Sequence, residues 1–217
     1  MIPPVPLPDA NLVLPAAARW LDMAGLAVFA ASGALAAAGR GQTLVTLAFF
    51  ALITGVGGGT VRDLLIGAPV FWVRDPHVAG LCIGLAIAIW VTPGRWWSGS
   101  ALAWLDAVGL AAYAVYGAAK ALGHGVPPVP AMVMGVVSAC VGGIIRDVLA
   151  GEPSILMRPE LYVTAAALSS TSFVTLQMLG LGTGAAAAVA ALLGFGLRAA
   201  AIRWKLALPA YRATPRV

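Results

Sequence analysis

Charged side chains make up only 10% of this 217-residue sequence, while 61% of it is hydrophobic and the mean hydropathy is +0.94. A soluble domain needs more charge than that to cover its surface, so the composition excludes one and indicates an integral membrane protein. Cysteine is equally scarce. Cys82 and Cys140 lie in apolar runs and share no CxxC or Cys/His spacing with His77 or His124, which leaves them as small packing residues with no disulfide and no metal implied. No nucleophile stands with a base and no phosphate loop follows a strand, so an enzyme is not expected and no cofactor is called for. The net charge of +5 comes from basic residues scattered singly beside apolar runs, which reads as membrane topology and argues against nucleic acid as a partner. The opening "MIPPVPLPDANLVLP" has no basic region and is broken by five prolines, so it is read as an extended tail or short interfacial segment, not a secretory signal.

What is abundant is apolar sequence in lengths that suit a bilayer. A spanning helix needs about 20 apolar residues at 1.5 Å each, and about seven such runs are bounded by charge, Pro or Gly clusters. They are Trp20 to Gly39, Thr43 to Ile66, His77 to Thr92, Ala103 to Leu122, Val129 to Ala150, Leu161 to Gly180 and Thr183 to Trp204. With the N-terminus outside and the C-terminus in the cytoplasm, nine of the thirteen basic residues face inward: Arg40, Arg95, Arg146, Arg158, Arg198, Arg203, Lys205, Arg212 and Arg216. The positive-inside rule favours that orientation.

The two halves repeat. At one constant offset of 84 residues, Trp20-Leu21-Asp22 falls on Trp104-Leu105-Asp106, Gly58-Gly59 on Gly142-Gly143, and Arg62-Asp63 on Arg146-Asp147, with Gly33, Gly39, Leu65, Gly67, Pro69 and Arg74 matched as well. A register that holds through so many polar and special residues marks a duplication. Each unit has three spans, and an odd number makes the second copy enter the membrane from the opposite side. The expected architecture is therefore an all-α polytopic membrane protein: a tail 1–19, a three-helix repeat 20–98, an inverted repeat 99–181, a seventh helix 182–206 and a tail 207–217. Inverted repeats of this kind are typical of transporters and some channels.

The stretch "GVGGGTVRD" and its mate carry the unusual chemistry. Gly57, Gly58 and Gly59, with Gly142 and Gly143, would make a kink or opened turn easier and bare carbonyl oxygens to a cation, with hydroxyls of Thr54, Thr60 and Ser138 nearby. Equally, small residues let membrane helices pack closely without any pore. Arg62 and Arg146 could snorkel to headgroups from a helix end. Yet Leu64-Leu65-Ile66 and Val148-Leu149-Ala150 continue the apolar runs beyond them, and a buried Arg must meet water or a carboxylate. Since neighbours on a helix point in different directions, the expected partners are crossed: Arg62 with Asp147, and Arg146 with Asp63. Asp22 and Asp106 read mainly as carboxylates at helix starts, with a cation-attracting mouth as the other reading, and Lys120 as a cation at a helix end.

"GVGGGTVRDLLIGAPVFWVRDP" and "CVGGIIRDVLAGEPSILMRPE", inside their WLD-started repeats, resemble the bacterial branch of the trimeric intracellular cation (TRIC) channels over Trp20 to Trp204. Bacterial members of that family also carry a glycine-transporter label. The resemblance implies seven transmembrane helices in the inner (plasma) membrane, a homotrimer, and in each protomer a pore for monovalent cations, mainly potassium, between two glycine-kinked helices. Carried over, the kink residues are Gly57, Gly58, Gly59, Gly142 and Gly143, and the charged pore residues are Arg62, Asp63, Arg146 and Asp147. Val141 stands opposite Gly57, so the second triplet is incomplete. The basic lipid-binding residues of animal members have no clear match, and membrane lipid enters only as a general partner. The alternatives are a secondary transporter for glycine or another small zwitterion, and a non-conducting scaffold. Voltage is a candidate gating stimulus.

Overall fold

The computed structural model describes residues 16–97, 100–157 and 159–209. The tail up to residue 15, and Arg158, Arg212 and Arg216 of the orientation count, lie outside them. Seven α-helices follow in order: α1 Ala16–Ala38, α2 Leu44–Leu65, α3 Pro76–Val91, α4 Ala101–Gly123, α5 Pro128–Leu149, α6 Val163–Met178 and α7 Thr183–Trp204. Among the described residues the one β-type pairing is an isolated antiparallel bridge between Glu160 and Ala207, which ties the segment after α7 to the loop before α6.

The boundaries follow local chemistry. Thr43 caps α2 by accepting from the Thr46 N–H, and Asp75 caps α3 by accepting from the His77 N–H at 2.9 Å, with Pro76 in the first turn where its missing N–H costs nothing. Just after α2 and α5, Gly67 and Gly151 both adopt φ of +68°, the left-handed conformation that stops a helix. They are repeat mates, and the 3-10 turns that follow, Phe71–Val73 and Ile155–Met157, are mates too.

Helices α2, α4, α5 and α7 are each long and apolar enough to cross a membrane. With 16 residues each, α3 and α6 reach only about 24 Å, short of the ~30 Å hydrocarbon core. Outward-facing Phe49, Leu64, Leu65, Ile87, Val148, Leu149 and Leu192 give the bundle an apolar exterior, the inverse of a soluble protein. Within each triplet the first helix packs on the second and third; α2 then meets α5 and α1 meets α4 at the centre, while α7 lies against α4 and α6.

The central contacts are reciprocal, as a pseudo-two-fold axis requires. Phe29 on α1 meets its own mate Tyr113 on α4 edge to face, centroids 5.4 Å apart at 83°. The protein is therefore a polytopic α-helical membrane protein of two inverted three-helix repeats plus one helix.

Candidate functional site

Helices α2 and α5 cross at the paired glycines. A Cβ on Gly58 would fall inside the carbonyl oxygen of Ser138, and a Cβ on Gly142 inside that of Thr54. Both helices nevertheless run through their glycines as unbroken α-helix. This corrects the expected opened turn: here the missing side chains bring two backbones together, and the carbonyls stay within the helices. Of the other expected residues, Gly57 faces Ile145 and Gly142, Gly59 faces the Phe71 ring, and Gly143 faces the Tyr162 hydroxyl and Asp106. The Thr60 hydroxyl donates to the Val56 carbonyl at 2.7 Å and accepts from the Trp72 indole N–H at 2.9 Å, while the Ser138 hydroxyl donates to the Met134 carbonyl at 2.7 Å. Thr54 is buried and its hydroxyl has no partner.

One helical turn beyond the crossing, about 6 Å along each axis, come the arginines. Because α2 and α5 run antiparallel, Arg62 lies toward one membrane face and Arg146 toward the other. That separation defeats the expected crossed pairing, and each arginine instead turns back on its own neighbour. Arg62 Nε donates to Asp63 Oδ1 at 2.9 Å, and Arg146 Nε to Asp147 Oδ1 at 2.9 Å. The returning loops fix the carboxylates in place. Asp63 Oδ2 accepts from the Phe71 N–H at 3.1 Å, and Asp147 Oδ2 from the Ile155 N–H at 3.0 Å, the same bond in both repeats. Arg62 and Arg146 are only 1% and 2% exposed, so neither snorkels.

Beyond this shared frame the two clusters differ. In the cluster around Arg146, Nη1 bonds Asp106 Oδ1 at 2.7 Å and the Ser32 hydroxyl at 3.0 Å. In the cluster around Arg62, Tyr116 replaces the counterpart of Ser32, and the guanidinium lies 5.0 Å from that ring's centroid. Lys120 Nζ bonds Asp63 Oδ1 at 2.8 Å. Asp22, the mate of Asp106, is buried within electrostatic reach of Arg62 and Lys120, but its Oδ1 has no hydrogen-bond partner, and neither has Arg62 Nη1. The reading of Asp22 and Asp106 as carboxylates at helix starts is thus corrected, while Lys120 does lie in the last turn of α4 and from there enters the cluster around Arg62. Helix α1 begins at Ala16 and α4 at Ala101, upstream of the expected starts, which carries both aspartates past the first turn and into the bundle.

A cavity of about 440 Å³ enters beside the second cluster, lined by Ala36, Arg40, Asp106, Arg146, Asp147 and Arg198 among others. At its rim Arg40 pairs with Glu152, both half exposed. Deeper, Arg198 of α7 is 2% exposed, bonds Glu160 Oε2 at 2.8 Å and stacks 5.2 Å from the centroid of Tyr162. Sequence reasoning gave Arg198 only a topological role. The signal was present, since it interrupts the apolar run "GFGLRAAAIRW" and the rule applied to Arg62 and Arg146 covers it equally. No group of three or more His, Cys, Asp or Glu suited to a metal occurs among the described residues.

Buried arginine–carboxylate clusters on either side of a close helix crossing, arranged by inverted repeats, are an arrangement found in membrane proteins that handle small charged solutes. The model of the family described as glycine transporter matches residues 19–93 and 103–178, two stretches that begin 84 residues apart. The UPF0126 inner membrane protein YadS of Escherichia coli strain K12 is 38% identical over 206 residues, covering 88% of this chain and 95% of that protein. A TRIC trimeric intracellular cation channel orthologue from Rhodobacter sphaeroides superposes with a TM-score of 0.82 at 40% identity, covering 88% of this chain and 99% of the other. A second solved TRIC cation channel matches with a TM-score of 0.80 at 27% identity, over 91% and 98%. The chain belongs to the TRIC channel family, the same family that bears the UPF0126 and glycine-transporter descriptions.

Proposed function

We propose that the protein is a monovalent cation channel, with potassium as its main ion, whose path runs through each protomer of a homotrimer between α2 and α5. The observation that carries this reading is the cavity that leads from one face of the bundle to the buried Arg146–Asp106–Asp147 cluster. Charged groups at that depth need an aqueous route or partners, and here they have both. The solved relatives named as cation channels, at 40% and 27% identity, support the same assignment.

In this conformation the path is shut at the crossing, where Gly58 and Gly142 lie against opposing carbonyls. Conduction requires α2 and α5 to part, which would bring Gly57, Gly58, Gly59, Gly142 and Gly143 and the hydroxyls of Thr54, Thr60 and Ser138 to the ion, with Arg62, Asp63, Arg146 and Asp147 as its charged lining. Voltage can drive that step if the arginines move through the field, at about 2.3 kcal/mol per charge per 100 mV. The protein sits in the inner membrane with its N-terminus outside and its C-terminus in the cytoplasm, which places the cavity on the cytoplasmic side.

A second reading, secondary transport of glycine or another small zwitterion, has one specific support. The cavity offers both buried guanidinium and buried carboxylate groups, a set that suits opposite charges on one small molecule. Purified protein in planar bilayers separates the two. Discrete potassium currents are expected; saturable glycine flux with no unitary current would overturn the channel reading.

A further inference from the structure

We infer that a partly dehydrated monovalent cation binds in the cavity beside Asp147 and Asp106, at the position that the Lys120 ammonium occupies in the cluster around Arg62. The inference deepens the channel reading and rests on it for the identity of the ion; the site itself follows from comparing the two halves.

In the cluster around Arg62 the charges balance: Asp22 and Asp63 stand with Arg62 and with Lys120 from α4. Asp63 Oδ1 takes two bonds from Arg62 and a third from Lys120 Nζ. In the cluster around Arg146 the corresponding Asp147 Oδ1 takes the same two bonds from Arg146. The third position belongs to the counterpart of Lys120, which is Ala36. There is no ammonium, and the space that a lysine side chain would fill is part of the cavity, with Ala36, Asp106, Arg146 and Asp147 all on its wall.

The charge count changes accordingly. The cavity wall as a whole carries Arg40, Arg146 and Arg198 against Asp106, Asp147, Glu152 and Glu160, an excess of one carboxylate; Arg40 pairs with Glu152, Arg198 with Glu160, and Arg146 with both Asp106 and Asp147. Asp106 is 1% exposed and its Oδ2 has no hydrogen-bond partner. A carboxylate in excess at that depth is costly, and a mobile cation removes that cost where a tethered one does so in the other cluster. A primary ammonium and a potassium ion are close in size, so the Lys120 site is also a measure of fit. The repeats thus use one architecture in two ways: Lys120 occupies its position permanently, and the cavity leaves its mate to ions from solution.

The test is equilibrium binding of radioactive rubidium to the full-length protein in lipid nanodiscs, in choline chloride at fixed ionic strength. The wild type should bind one rubidium per protomer at this site. Ala36→Lys, which supplies the missing ammonium, and Asp106→Asn, which removes the excess charge, should each weaken that binding at least tenfold. Lys120→Met should add a second rubidium per protomer. If Ala36→Lys fails to assemble, Asp106→Asn decides. The site is overturned if the wild type binds no rubidium, or if the folded variants bind it as the wild type does. Potassium currents with rubidium binding indifferent to both substitutions would sink the site and spare the channel. Binding that Ala36→Lys abolishes, in protein that passes no current, would sink the channel and spare the site.

Discussion

Replacing Gly58 by alanine tests the packing at the helix crossing directly. Alanine is favoured over glycine by about 1 kcal/mol in a helix interior, so propensity alone makes the variant more stable. Against this, the new Cβ would fall inside the Ser138 carbonyl oxygen, a backbone atom of an unbroken helix that cannot rotate away. Overpacking of that kind costs about 1–3 kcal/mol, and relief requires α2 and α5 to move apart along their whole contact. Because the overlap is with rigid backbone its cost lies in the upper part of that range, so the clash should win, with a net loss of up to about 2 kcal/mol from these two magnitudes. Gly80 on α3 is the control, because a Cβ there has nothing within 4 Å in the protomer, and alanine should be neutral or stabilising. Thermal unfolding of both variants in detergent is the assay. A Gly58→Ala protein with a midpoint at or above that of the wild type would refute the reasoning, since it would mean that the backbones are not in contact.

Three further outcomes follow from the charge clusters. Arg146→Met leaves Asp106 and Asp147 buried without their partner and should cost about 3–5 kcal/mol, read as a large fall in the unfolding midpoint. Arg198→Met should cost far less, about 1 kcal/mol or under, because its partner Glu160 is 39% exposed and two of the guanidinium nitrogens have no hydrogen-bond partner to lose. Equal losses for the two variants would contradict the assignment of partners. For the rim pair, a double-mutant cycle on Arg40→Ala and Glu152→Ala should give a coupling of about 1 kcal/mol or less that fades as salt is raised, as expected for half-exposed charges.

The large features of the fold were legible because they rest on counting. Seven apolar runs, one offset of 84 residues and three spans per unit dictate inverted halves before any coordinate is known. The charged residues were legible as buried for the same reason, since Leu64-Leu65 and Val148-Leu149 extend the membrane-facing surface past them, and all four are exposed. Their partners were not. Whether Arg62 meets Asp63 or Asp147 depends on where two antiparallel helices cross, and sequence spacing carries no information on that. The glycines were ambiguous because absence of a Cβ serves a bend and a close contact equally; the opposing Ser138 and Thr54 carbonyls show the close contact. Lys120 and Asp22 were undervalued because a position near an apolar run's end looks interfacial until neighbouring helices enclose it. Arg198 stood apart from any repeat, so the comparison that singled out the other arginines passed over it.

The measurement that bears most directly on the central claim is the reversal potential of unitary currents from the purified full-length protein in a planar bilayer under a potassium chloride gradient. A cation path whose cavity carries four carboxylates against three guanidinium groups should give discrete openings that reverse close to the potassium equilibrium potential. Openings that reverse near the chloride potential, or no openings in protein that accumulates glycine in vesicles, would contradict it.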